Sequence, residues 1–122
     1  MDTIILIKMK TKSETFLLEQ EKEWEKVGDG VRRQIMGYDG HVMMVKVAFQ
    51  EGAEGYAHEH FHSQCSYVAS GKFQVTVDGK MKLLTTGDAF YVEPDQMHGV
   101  ICIEEGMLID FFSPMREDFL QK

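Results

Sequence analysis

Residues 72–85 read Lys72-Phe-Gln-Val-Thr-Val-Asp78-Gly79-Lys80-Met-Lys-Leu-Leu-Thr. Two runs rich in β-branched and apolar residues flank an Asp-Gly pair, which readily takes the positive φ angles of a two-residue turn, so the stretch predicts a tight β-hairpin. On its first arm Phe73, Val75 and Val77 alternate with Lys72, Gln74 and Thr76. Side chains alternate across a strand, so one set faces a core and the other faces water.

Working outward, the chain from Val31 onward continues the pattern, with short β-branched and aromatic runs cut by glycines. Strands are expected over 31–36, 42–49, 64–70, 72–77, 80–85, 89–92, 98–103 and 107–113. Eight such runs suit an all-β, single-domain jelly roll or closed β-barrel, which also removes exposed strand edges. Residues 13–27 are ambiguous: Phe16-Leu17-Leu18 and Trp24 fit a short helix begun at Ser13 or irregular edge strands leading to Gly28-Asp-Gly30. The division expected is an N-terminal arm of edge strands over 1–30, packing on a barrel over 31–122. No repeat or linker argues for a second domain.

A chain of 122 residues, 43% apolar and 27% charged, has the composition of one folded domain. At that size it buries roughly two-thirds of its unfolded surface and needs no disulfide staples. Twenty acidic against 13 basic residues give a net charge of −7, with no Lys/Arg cluster to track phosphates, so nucleic acid is not an expected partner. Cys65 and Cys102 each lie in an apolar stretch and read as two buried thiols, which favours a reducing, cytoplasmic setting. The opening Met1-Asp-Thr-Ile-Ile-Leu-Ile-Lys puts an acid where an export signal wants a base, and its apolar run is too short to span a membrane. No membrane partner is expected.

Four of the five histidines fall in two places: His58-Glu-His60-Phe-His62, and His98 at the head of a later strand. Alternate residues of an extended segment share a face, so His58 and His60 can aim imidazoles at one point, and His98 can join them from a distant strand. One borderline divalent ion (nickel, zinc, iron or manganese) would accept such nitrogen ligands. A single histidine is more often a surface or hydrogen-bonded core residue. The His-x-His pair with a distant third makes ligation the better reading.

The spacing of these residues resembles the cupin superfamily over about Gly52 to Val100. The first cupin motif is matched by Gly52-AEGYA-His58-Glu-His60-FHS-Gln64-CSYVAS-Gly71, and the second by Gly87-DAFYVEPDQM-His98. The resemblance implies a cupin jelly-roll barrel and a metal shell of His58, His60, Gln64 and His98. Gln64 stands where many cupins carry glutamate, and Glu93 and Asp95 stand where proline and glycine are usual, with Pro94 displaced by one. A neutral glutamine leaves the ion its full charge, which favours a Lewis-acid role over a redox one. His62 is assigned to the pocket wall, since the family spacing selects His58 and His60.

Extended to the C-terminus, Tyr67-Val68, Gly71-Lys-Phe-Gln-Val-Thr-Val77, Pro94, His98-Gly-Val100 and Asp110-Phe-Phe-Ser-Pro-Met-Arg116-Glu-Asp-Phe119 resemble the KdgF-type pectin and alginate degradation proteins. That resemblance implies an enzyme converting 4,5-unsaturated uronate monosaccharides, small anionic sugars, to linear 5-keto-4-deoxyuronate. It implies Asp110, Phe112 and Arg116 as the catalytic and substrate-binding residues. Strand alternation puts Leu108, Asp110 and Phe112 on one face, so a barrel-lining Phe112 brings Asp110 inside with it. There Asp110 can shuttle a proton, Arg116 can hold the uronate carboxylate in a two-pronged bond, and Phe112 can wall the ring.

Plainer readings stand beside these. Asp110 and Arg116 can form a structural ion pair, and Phe111 and Phe112 can straddle the sheet. Tyr67, Lys46, Arg32 and Arg33 could also meet an anionic sugar, with directions the chain leaves open. Met36, Met43, Met44 and Met97 read as core filler. A cupin dioxygenase on a small carbonyl or aromatic substrate and a non-enzymatic metal- or sugar-binding module are the rival functions, because the fold hosts many chemistries. A homodimer is expected, with the apolar stretch from Phe16 to Trp24 as its contact.

Overall fold

The computed structural model describes residues 11–121. Expectations for the first ten positions lie outside them, including part of the arm over 1–30. Among the described residues, one 3-10 turn, Glu19–Glu21, precedes eight strands: β1 Glu25–Gly28, β2 Val31–Tyr38, β3 Met43–Phe49, β4 Glu54–His58, β5 Ser63–Val77, β6 Lys80–Thr85, β7 Ala89–Val92 and β8 His98–Ser113. A short helix, α1 Glu117–Leu120, follows. The chain is thus all-β in architecture, and every strand pairing is antiparallel.

The 72–85 hairpin forms as expected: Lys72 to Val77 pairs with Lys80 to Thr85 across Asp78 (φ 50) and Gly79 (φ 79), both in the left-handed region. Phe73 and Val75 are buried. The other boundaries differ in an instructive way. Runs 64–70 and 72–77 are one strand, β5, and runs 98–103 and 107–113 are one strand, β8. These two pair along their whole lengths, from Ser63 opposite Ser113 to Val77 opposite His98, with register shifts between Val68 and Phe73.

Gly71 and Gly106 read as strand ends but are bends within strands. A Cβ on Gly106 would stand 2.1 Å from the Ser70 carbonyl oxygen, and one on Gly71 (φ +84) 2.6 Å from that of Glu104. Only glycine lets the two backbones cross so closely. Beyond the bend each long strand changes neighbours. The first half of β5 pairs with β7 and its second half with β6, while β8 pairs first with β4 and then with β3. Two sheets thereby share two strands and curl into a jelly-roll barrel.

The ambiguous 13–27 region resolves into the 3-10 turn and β1, which pairs with β2. Gln34, fully buried, ties this arm down by donating to the carbonyls of Glu19 (2.8 Å) and Lys22 (3.1 Å). The core falls in two clusters. One holds Val31, Phe49, Val68, Phe73, Val75, Val100, Cys102 and Leu108, with Phe49 and Phe73 edge to face at 5.3 Å. The other, of Met43, Val45, Phe112 and Met115, packs against Phe119 and Leu120 of α1.

Two expectations of burial need correction. Cys102 is buried but Cys65 is exposed, because on β5 it alternates with the inward Gln64 and Ser66. Met36 and Met43 are core residues, whereas Met44 is only half-buried on the outer face of β3 and Met97 is about half exposed just before β8.

Candidate functional site

β4 ends at His58 directly opposite His98, the first residue of β8, so strand pairing alone sets these two imidazoles side by side, with ring centroids 4.3 Å apart. His60, in the segment joining β4 to β5, brings a third ring to within 4.8 Å of His98. In each of the three, Nδ1 donates to a backbone carbonyl: His58 to Tyr56 (2.9 Å), His60 to His62 (3.0 Å) and His98 to Gln96 (2.9 Å). That bond fixes the tautomer and leaves the Nε2 lone pair facing the common centre. Burial, the largest effect, drives His98 down to about 4 and also lowers His60, so both rings are neutral at neutral pH.

Gln64 completes the group from β5. Its amide nitrogen donates to Ser66 Oγ at 2.8 Å, which turns Oε1 toward the histidines, 2.9 Å from His60 Nε2 and 3.1 Å from His98 Nε2. Three acceptors therefore converge with no proton to share. Such a set repels itself unless a cation lies among them, which is the test a metal site should pass. One ligand atom from each of His58, His60 and His98 lies within 4.8 Å of the others, the spread of a group able to hold a metal ion. His62 is outside it. Its ring is buried, stacked on Phe61 at 3.9 Å, and it serves His60 through its main-chain carbonyl.

Asp110 and Phe112 point inward on β8 and line the same cavity of about 370 Å3 as His58, Gln64, His98 and Arg116. Ser66, opposite Asp110 in the register, donates to its carboxylate at 2.6 Å. Desolvation by the surrounding barrel raises the Asp110 carboxyl to about 6, against the Ser66 bond and the Arg116 charge, which lower it. Ser66 escaped the sequence reading. The signal was there in the alternation Gln64, Ser66, Val68, which puts a hydroxyl on the inward face next to Gln64.

The ion pair between Asp110 and Arg116 does not form. Arg116 instead gives Nε and Nη2 to Asp118, at 3.1 and 2.9 Å, and lies 5.1 Å over the Phe112 ring. Asp118 is held below its ordinary range by that bond. One edge of the Arg116 fork is thus already used, and a two-pronged contact with a ligand falls to the other edge. Phe111 and Phe112 do straddle the sheet, Phe111 outward and Phe112 inward. Of the other candidates for an anionic sugar, Arg32 and Lys46 turn out of the barrel to Trp24, and Tyr67 lies outside the cavity lining. Arg33 alone faces in.

A small jelly-roll barrel whose interior gathers three imidazoles, a group able to hold a metal ion, and an amide oxygen beside them has the form of a cupin. The cupin domain family matches residues 45–112. The chain is 46% identical over 107 residues to the pectin degradation protein KdgF of Dickeya dadantii (strain 3937), covering 86% of this chain and 97% of that one. Among solved structures, an RmlC-like cupin from Shewanella frigidimarina is 50% identical, with a TM-score of 0.88 and 90% of this chain and 99% of that one covered. KdgF from Halomonas sp. is 37% identical, with a TM-score of 0.84 and 88% and 99% covered. The chain belongs to the cupin family and, within it, to the KdgF group.

Proposed function

We propose that this protein opens the ring of 4,5-unsaturated uronate monosaccharides, giving the linear 5-keto-4-deoxy acids, as a metal-dependent step in pectin or alginate breakdown. The observation that carries the reading is one unbroken chain of contacts, from the His60 and His98 nitrogens through Gln64 and Ser66 to Asp110, inside a cavity with an arginine at its edge. The relatives named for pectin degradation support it.

His58, His60, Gln64 and His98 would hold one divalent ion, drawn from nickel, zinc, iron and manganese. When bound, it supplies Lewis-acid polarisation of a sugar oxygen. The chain's own residues do the rest. The Asp110 carboxylate takes the proton of the anomeric hydroxyl as the C1–O5 bond breaks, leaving an aldehyde at C1 and an enolate across C4 and C5. The resulting carboxylic acid returns that proton to C4, which leaves a ketone at C5. One proton leaves oxygen and one reaches carbon, so nothing else is consumed. A carboxyl with a pKa near 6 is suited to both halves of this transfer. Phe112 walls the sugar, and Arg116 holds its carboxylate by the Nη edge that Asp118 leaves open.

The decisive assay mixes metal-replete protein with freshly released unsaturated galacturonate and follows loss of the enol-ether absorbance. Acceleration is expected, and none with Asp110→Asn that still carries its metal. An unaccelerated decay with the wild-type protein would end the reading. Metal analysis of the purified protein names the ion.

A homodimer is the assembly we infer. Met44, Phe111, Cys65 and Tyr91 lie in register across four strands on the outer face, with Tyr67 beside them, and form an apolar surface better suited to a self-contact than the Phe16 to Trp24 stretch. Phe111→Asp should shift the molecular mass measured by light scattering to that of a monomer. The free thiols of Cys65 and Cys102 favour a cytoplasmic setting, which cell fractionation tests. Among the described residues, no helix is long and apolar enough to cross a membrane.

A further inference from the structure

Arg33 occupies an inward position on β2, between Val31 and Ile35, where alternation in a barrel calls for an apolar side chain. It lines the cavity that also holds Asp110, His58 and Arg116, and its side chain is only 18% exposed. An inward cation at that burial needs anions. Among the described residues, the one it has is Glu25 on β1, whose Oε1 stands 3.5 Å from Nε, a long contact. Among the described residues, neither terminal nitrogen of Arg33 has a hydrogen-bond partner.

Arg116 is arranged in parallel fashion. Its Nε edge faces Asp118, and its Nη1 likewise has no partner among the described residues. The two guanidinium carbons lie 3.9 Å (Arg33) and 4.3 Å (Arg116) from the centroid of one ring, Phe119 of α1. They can therefore be no farther apart than those two distances together. Each arginine is backed by a carboxylate on its Nε side, braced on the same aromatic ring, and left with unspent donors beside a common cavity.

We infer that Arg33 is a second carboxylate-binding residue, which closes with Arg116 on the single acid group of the sugar and makes the site selective for uronates over neutral sugars. The inference rests on the reading of this cavity as a uronate site. A planar guanidinium fork matches a carboxylate, and two forks steadied by one ring lose little freedom on binding. A neutral sugar entering the same space would leave both sets of donors unpaired, the arrangement that discriminates most strongly.

The test compares metal-loaded wild type, Arg33→Gln and Arg33→Lys in turnover of unsaturated galacturonate, with calorimetric binding of saturated galacturonate and of galactose alongside. For Arg33→Gln the expected result is a KM raised roughly ten- to a hundredfold with kcat changed far less, as for loss of a charged hydrogen bond. Galacturonate affinity should fall in step, galactose binding should stay as in wild type, and metal content should be unchanged. Arg33→Lys, which keeps the charge and loses the fork, should lie between the two and covers the case of a poorly folded glutamine variant. Wild-type KM in both variants would overturn the role of Arg33 and leave the ring-opening reading intact. Absence of turnover by the wild type, with galacturonate still bound through Arg33, would remove the reading and keep the clamp. Failure of the wild type to prefer galacturonate over galactose would remove both.

Discussion

Ser66 donates to Asp110 at 2.6 Å from the position directly opposite it in the β5–β8 register, and the same hydroxyl oxygen receives the Gln64 amide at 2.8 Å. The proposed base and the proposed ligand set are therefore parts of one network, joined through the Ser66 hydroxyl, which donates to one and accepts from the other. Ser66→Ala removes the donor that holds the Asp110 pKa down and the acceptor that holds the Gln64 amide in place. The expected outcome is a tenfold or larger loss of kcat/KM, with its acid limb moved to higher pH. A pH-rate profile of unaltered shape in this variant would separate Ser66 from the chemistry.

Raising Asp110 from 3.8 to about 6 means that between those values the folded protein binds more protons than the unfolded chain. Stability contributed by this group is full below about pH 4 and is lost as pH rises through 6, by at most about 3 kcal/mol. Asp110→Asn cannot ionise and escapes the loss. Metal-free Asp110→Asn should thus be more stable than metal-free wild type at pH 7.5, and the gap should close on acidification toward pH 4. Both proteins carry the same histidines, so the difference between their urea midpoints isolates Asp110. A gap that stays constant with pH would mean its carboxyl is not perturbed.

Legibility in the sequence followed how local each signal was. Asp78-Gly79 fixes its hairpin within four residues, and the His58/His60 pair needs only strand alternation, so both were readable. Gly71 and Gly106 were misleading because a glycine that permits a close crossing of strands looks the same as one that ends a strand. The crossing depends on Ser70 and Glu104, far apart in the chain. Gln64 was readable as a member of the cluster only through the family resemblance, since nothing local distinguishes it from a surface glutamine until its amide meets Ser66. Arg116 was readable as a cavity residue but not as the partner of Asp118. An arginine two residues from one carboxylate and six from another gives no clue to which it takes, and here α1 turns Asp118 toward it.

Removing the ion should separate the histidines by role. His58→Ala and His98→Ala each delete one converging nitrogen, and each should weaken binding of nickel or zinc at least tenfold. His62→Ala should leave metal stoichiometry intact, because His62 supports His60 through its backbone carbonyl, which the substitution keeps. Chelation of the wild type should lower its melting temperature, and added metal should restore it, a site filled to a hundred times its dissociation constant contributing about 2.7 kcal/mol. Equal metal loss from His62→Ala and His98→Ala would contradict the Nδ1-to-carbonyl arrangement of the site.

Gln64→Glu asks what is gained by a glutamine at the position where many cupins carry glutamate. An amide offers an acceptor to the metal side and a donor to Ser66 at once, whereas a glutamate offers acceptors to both. With glutamate at 64, the Ser66 hydroxyl has two carboxylates competing for its one proton, and Asp110 can lose its bond. The added negative charge should tighten metal binding while weakening its polarising effect. The variant is therefore expected to keep its metal, more tightly than wild type by equilibrium competition with a chelator, and yet turn over at least tenfold more slowly. Combining it with Ser66→Ala then discriminates the cause. If the damage runs through Ser66, the double variant should be no slower than Ser66→Ala alone; if it comes from the charge at the metal, the two losses should multiply.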